Sequence, residues 1–146
     1  MVVSSHVALN KVGANSMREL YDYIYSHLNQ TLQSSDLVKP VGLHFVVQEK
    51  IFTGTNQPFI SCPIQFRLRD LTSETVLCRP VWTEQSLRSK VNRKARIGVK
   101  RHSVIRIDDY SVVAHEKAIT GYVILIRSYH VVKKEIDIDD YQRWIS

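Results

Sequence analysis

The chain has 146 residues, 44% of them hydrophobic, and a formal net charge of +6. That is one domain's worth of sequence with enough apolar side chains for a core, which excludes a disordered segment. No run approaches the ~18 apolar residues of a membrane span. The opening MVVSSHVALNKVG lacks the basic start and long apolar stretch of a secretory signal, so the expectation is an intracellular protein without a membrane partner. The two cysteines, Cys62 and Cys78, form no CxxC pair and have no histidine at zinc-finger spacing, so they are expected as buried thiols in a reducing compartment.

In chain order, the first predicted element is a helix over NSMRELYDYIYSHLNQ. Ser16 and Glu19 have capping-box spacing, and Leu20, Ile24 and Leu28, with Met17 and Tyr21, share one face. The tyrosines there read as packing. VGLHFVVQEKIF (41–52) is rich in β-branched and aromatic residues and predicts a strand, followed by the turn cluster TGTNQP. FISCPIQFRLRD (59–70) predicts a second strand, with Pro63 marking an edge or bulge near its start. TVLCRPVW (75–82) predicts a third, paired with the second as a hairpin.

Residues 83–98 predict a helix with Thr83 as cap, Glu84 at its positive end and basic residues crowding its negative end. SVIRIDDYSVV is the fourth strand, AHEKAIT a connection and GYVILIRSYHVV the fifth strand. Five short strands with a helix between the third and fourth is the order of an OB-fold. The expected fold is therefore mostly β with flanking helices, a five-stranded OB-fold Greek-key barrel. Residues 1–40 form a helical extension packed on the barrel, 41–132 the barrel and 133–146 an acidic amphipathic tail.

The positive charge is concentrated. Arg88, Lys90, Arg93, Lys94, Arg96, Lys100 and Arg101 fall within 14 residues that contain no acid, which leaves the rest of the chain at −1. Such a patch suits a polyanion or an acidic partner, and it competes with the reading of a solvated helix face. Strand alternation predicts an outer face that collects Arg67, Arg69, Arg79, Arg106 and Tyr110, with Phe66, Leu68, Val76, Cys78, Ile105 and Ile107 turned inward. Cations that follow a backbone and aromatic rings that stack bases are what an OB-fold uses for single strands. Trp82 is a second stacking candidate, competing with a role as a plug over the barrel end.

VKRHSVIRIDDYSVVAHEKAITGYVILIRSYHVV resembles the last two strands of the N-terminal OB-fold of replication protein A's large subunit, in Ser103 to Ile107, Tyr110 and Val123 to Leu125. LHFVVQEKIFTGTN resembles that family's first strand and its TG turn, and IQFRLRD its second strand, ending in an acid. The resemblance spans roughly residues 41–132. It implies a nuclear protein that binds single-stranded DNA, with RNA as the alternative, in replication, repair or telomere maintenance, alone or with other OB-fold subunits. It equally implies a recruitment module whose basic groove takes acidic amphipathic protein segments. The chain departs from the family in its longer helical N-terminus and in its groove, where Glu49 and Lys50, Arg67 or Arg69, and Lys117 beside Glu116 stand at the basic positions.

The tail itself, with Ile138, Tyr141 and Trp144 among acids, has the composition of such a segment. It is expected either to dock on a basic face or to pack on the barrel as a C-terminal helix through Tyr141, Trp144 and Ile145. A third reading is a basic viral structural protein that binds RNA and self-associates. Six histidines without HxH or HExxH spacing, and the lack of P-loop and GxSxG motifs, leave no catalytic expectation and no cofactor.

Overall fold

The computed structural model describes residues 4–13, 15–29, 38–52, 64–72, 74–80 and 99–145. Among the described residues two helices precede the barrel. The first, α1 (Ser5–Val12), carries no element in the sequence reading. Ser4 caps it, its hydroxyl accepting from the Val7 amide at 3.2 Å, and Gly13 ends it at φ 65°, a left-handed conformation that glycine adopts without strain. The second, α2 (Ser16–Asn29), is the predicted helix. Met17, Leu20 and Ile24 are buried and Tyr21 and Leu28 pack beside them, as the spacing predicts.

Its cap differs from the expected box. The Ser16 hydroxyl donates back to the Val12 carbonyl at 2.6 Å, and the Met17 amide donates to Asp70 at 2.8 Å. Asp70 is fully buried and also accepts from the Thr72 amide and hydroxyl. A carboxylate there satisfies a first-turn helix N–H and the positive helix end together, so an acid 53 residues away displaces the local pair.

Five strands follow: β1 (Leu43–Phe52), β2 (Ile64–Arg69), β3 (Thr75–Pro80), β4 (Val104–Ala114) and β5 (Tyr122–Lys133). They close into a barrel in the order β1-β2-β3-β5-β4. Every pairing is antiparallel except β3 with β5. This is an OB-fold barrel, and closure leaves it without a free sheet edge. The predicted helix over 83–98 and the first part of the expected second strand lie outside the described residues.

Alternation fills the barrel with Phe45, Val47, Phe66, Leu68, Ile105 and Ile124, each nearly or fully buried. Cys78 is buried among them as a free thiol, and burial pushes its pKa far above the usual range. Cys62 lies outside the described residues.

A second core closes one end. Ala8, Leu9 and Val12 of α1 meet Val46, Val104 and Ile136 together with Tyr141 of the C-terminal helix α3 (Ile138–Ile145). Asp137 caps α3, accepting from the amides of Asp139 and Asp140 at 2.9 and 3.2 Å. Its own amide donates to Ser5 at 2.7 Å, which ties the tail to α1. The tail thus packs as a C-terminal helix. Tyr141 is held in this core, Trp144 and Ile145 are half-buried beside it, and of the three proposed partner-binding residues only Ile138 is exposed.

Candidate nucleic-acid interface

The arginines expected on one face stand on two walls of the barrel. Arg67 and Arg69 lie on β2 and Arg79 on β3, its neighbour. Arg106 lies on β4, whose neighbours are β1 and β5. Along β1 Arg67 is also offset from Arg106, since Arg67 stands opposite Glu49 and Arg106 opposite His44, whereas Arg69 stands opposite Val46 and lies nearer in register. At about 3.3 Å per residue the separation of Arg67 from Arg106 is roughly 16 Å along the strand.

Tyr110 is a clear correction. It is 1% exposed, inside the barrel rather than on its outer face. The β4–β5 register shifts between Ile107 and Asp109 and again between Asp109 and Tyr110, and these bulges turn the ring inward. Its hydroxyl donates to the Pro40 carbonyl at 2.9 Å, and Tyr23 meets it edge-on with centroids 6.0 Å apart. The Lys39 ammonium lies 5.1 Å from its centroid. Arg79 is a second correction: outward by alternation, it is only 5% exposed.

On the β1–β4–β5 wall, Arg106 meets its charge within the strand pair. Its Nε donates to Asp108 at 2.7 Å, and His130 bonds both Asp108 and the guanidinium. Burial pushes the Asp108 carboxyl up, but the bonds from Arg106 and His130 outweigh it and hold its pKa below the ordinary value. Opposite Arg106, burial lowers the pKa of His44, and Lys11 and Arg106 add to the effect.

The β2–β3 wall is built differently. A groove of about 430 Å³ runs between this sheet face and the β4–β5 connection. Val76, Leu77 and Val123 give it apolar lining, Tyr21 and Tyr122 add rings, and Arg67 and Arg79 add cations. Leu77 is 40% exposed, and Ile119 at the loop tip is fully exposed. The loop is closed by the His115 amide, which donates to the Gly121 carbonyl at 2.9 Å, and is shaped inside by two turns in which the Ala118 amide donates to the His115 carbonyl at 3.1 Å and the Gly121 amide to the Ala118 carbonyl at 3.0 Å. Arg67 also pairs with Glu49 at 3.2 Å, with both side chains partly exposed. Arg69 is drawn away, its Nε donating to the Thr72 carbonyl at 3.0 Å at the strand end.

Tyr21 reaches the groove from α2. Its hydroxyl donates to the Thr75 carbonyl at 2.8 Å, and burial, helped by Tyr122 and Glu74, pushes its pKa up to about 12. Burial also raises Tyr122, with Tyr25 and Cys78 contributing. Tyr21, Tyr122 and Ile119 are the groove residues the sequence reading passed over. Two signals were present: an isoleucine in an otherwise polar connection, and tyrosines four apart on a helix.

Of the basic run, Lys100 and Arg101 are described and exposed. Lys100 approaches Glu135 at 3.9 Å across open solvent, a weak pair. Trp82, Arg88, Lys90, Arg93, Lys94 and Arg96 lie outside the described residues. Among the described residues no group of three or more His, Cys, Asp or Glu side chains is placed to hold a metal ion. No helix among them is long and apolar enough to cross a membrane. No protein-family model matches the chain, and no curated protein matches it.

Proposed function

We propose that the chain is a non-catalytic OB-fold protein that binds single-stranded DNA across the β2–β3 groove. The observation that carries the proposal is the groove's mixed lining. Tyr21 and Tyr122 stand with Leu77 and Val123 beside Arg67 and Arg79, under an exposed apolar loop tip. OB-folds take oligonucleotides on the face of their second and third strands, between the first-second and fourth-fifth loops. Bases need rings or flat apolar surface, worth ~1–3 kcal/mol per stacked base, and phosphates need cations nearby. The basic run over 88–101 adds long-range attraction for a polyanion. The resemblance of strands β4 and β5 to the replication protein A domain points the same way and suggests a role in replication, repair or telomere maintenance.

A second reading keeps the groove and changes the occupant. Leu77, Ile119 and Val123 would equally accept the apolar face of an acidic amphipathic helix, with Arg67 meeting its acids. The chain's own tail is not that occupant, because Tyr141 is buried against α1.

Fluorescence anisotropy with labelled oligo-dT and a labelled duplex, at two salt concentrations, separates the readings. The expected result is salt-sensitive binding that prefers the single strand. Absence of binding at low salt, together with capture of an acidic amphipathic peptide, would replace the first reading with the second.

A further inference from the structure

α2 turns its core face, Met17, Leu20 and Ile24, into the barrel, with Tyr21 lining the groove and Tyr25 one helical turn further along. Tyr25 is 56% exposed, a large ring left in water. It stacks on Tyr21 with centroids 6.0 Å apart and an interplanar angle of 24°. Tyr21 in turn is fixed by its bond to Thr75 on β3. Tyr122 also lines the groove. Tyr25 and Tyr21 thus form a stacked pair that leads from the exposed surface of α2 into the groove.

We infer that Tyr25 and Tyr21 form an added base-stacking subsite, so that the N-terminal helical extension is part of the nucleic-acid interface. The inference rests on the reading of the groove as a single-strand site. A ring held by a neighbour loses little conformational freedom when a base settles on its open face, which makes it a better platform than a lone side chain. The charges around it select the ligand. Arg67 and Arg79 line the groove on one side of Tyr21. On its other side Asp22, Asp70 and Glu74 line a separate hollow together with Arg18. Phosphates are favoured on the first side and opposed on the second, so the strand passes from Tyr25 into the groove toward Tyr122. An unpaired base is the matching chemistry, since bases inside a duplex already stack on each other and offer no free face.

The test is oligo-dT anisotropy with Tyr25→Ala and Tyr25→Phe in the full chain. Losing one stacked base lowers affinity by about 5- to 150-fold. Tyr25→Ala is expected in that range, with an unchanged salt slope because no cation is lost. Tyr25→Phe keeps the ring and is expected to bind as the parent does. If the parent binds the single strand and Tyr25→Ala binds equally well, the subsite is wrong and the groove reading stands. If the parent does not bind at all, both fall. Photocrosslinking of the parent with an iodouracil-substituted oligonucleotide avoids any folding defect in the variants. A cross-linked peptide containing Tyr25 supports the subsite, and cross-links confined to the strands overturn it.

Discussion

On the β1–β4–β5 wall the Arg106 guanidinium lies against Asp108 and His130, so its charge is answered by its own neighbours. On the β2–β3 wall Arg67, paired with Glu49, and the largely buried Arg79 lie among Leu77, Val123 and Tyr122 around a groove. Both walls come from the same alternation of arginine with apolar residues. Each wall sets an acid beside an arginine, Asp108 by Arg106 and Glu49 by Arg67, and what separates them is that the first adds imidazoles while the second adds apolar side chains, rings and a concave shape. Counting outward arginines therefore does not locate a binding face. A cation becomes useful to a ligand when concavity and stacking surface accompany it.

The largest effect is expected at Tyr110, which alternation assigns to the outer face and the bulges carry into the core. Tyr110→Ala is expected to cost about 3–5 kcal/mol in urea unfolding, the range for emptying a large buried aromatic site. A solvent-facing ring would change stability by only about 0.5 kcal/mol. Next comes the groove floor. Leu77→Glu places a carboxylate among the groove cations, and oligo-dT affinity is expected to fall at least about tenfold. Because Leu77 is 40% exposed, the melting temperature should change little.

Arg67 and Arg106 give the direct contrast between walls. Arg67→Ala is expected to weaken single-strand binding and reduce the salt slope by about 0.7, one phosphate's share for a single strand. Arg106→Ala is expected to leave both unchanged and to cost at most about 1 kcal/mol of stability, because its pairs are partly exposed. Parallel salt titrations of the two variants check this.

The smallest effect is on pH. The folded pKa of His44 lies below its ordinary 6.5, so the unfolded chain takes up the proton first as pH falls. Stability contributed at this site is full above 6.5, declines as pH drops below it, and levels off once the folded ring also titrates. Asp108 works in a lower window: its contribution is present above 3.8 and is lost as pH falls through its depressed folded value. Thermal melts of the parent and of His44→Gln at pH 7.5 and 5.5 should show a smaller acid-side loss in the variant.

Much of the barrel was legible in the sequence. The five strands, the β2–β3 hairpin and the inward set of Phe66, Leu68, Ile105 and Ile107 follow from period-two patterning. So does the α2 core face from its helical period. α1 was missed because eight residues with only Ala8, Leu9 and Val12 buried give a weak signal, and its burial depends on α3 from the far end of the chain. The Asp70 cap was missed for the same reason: long-range geometry overrode a good local capping box.

The site was less legible. Arg67 was assigned correctly to an outward position, but the separation of Arg106 from it depends on strand order, and a bulge is invisible to simple alternation. Tyr21 was legible as a residue beside the core, yet its place in the groove follows from how α2 lies on β3.

The measurement that tests the central claim most directly is a titration of the isotopically labelled protein with oligo-dT, followed by amide chemical shifts. The account predicts shifts at Gln65, Arg67, Leu77, Ile119 and Tyr122, with Arg106, Asp108 and His130 unmoved. Shifts centred on Arg106 and His130, with the groove unmoved, would contradict it.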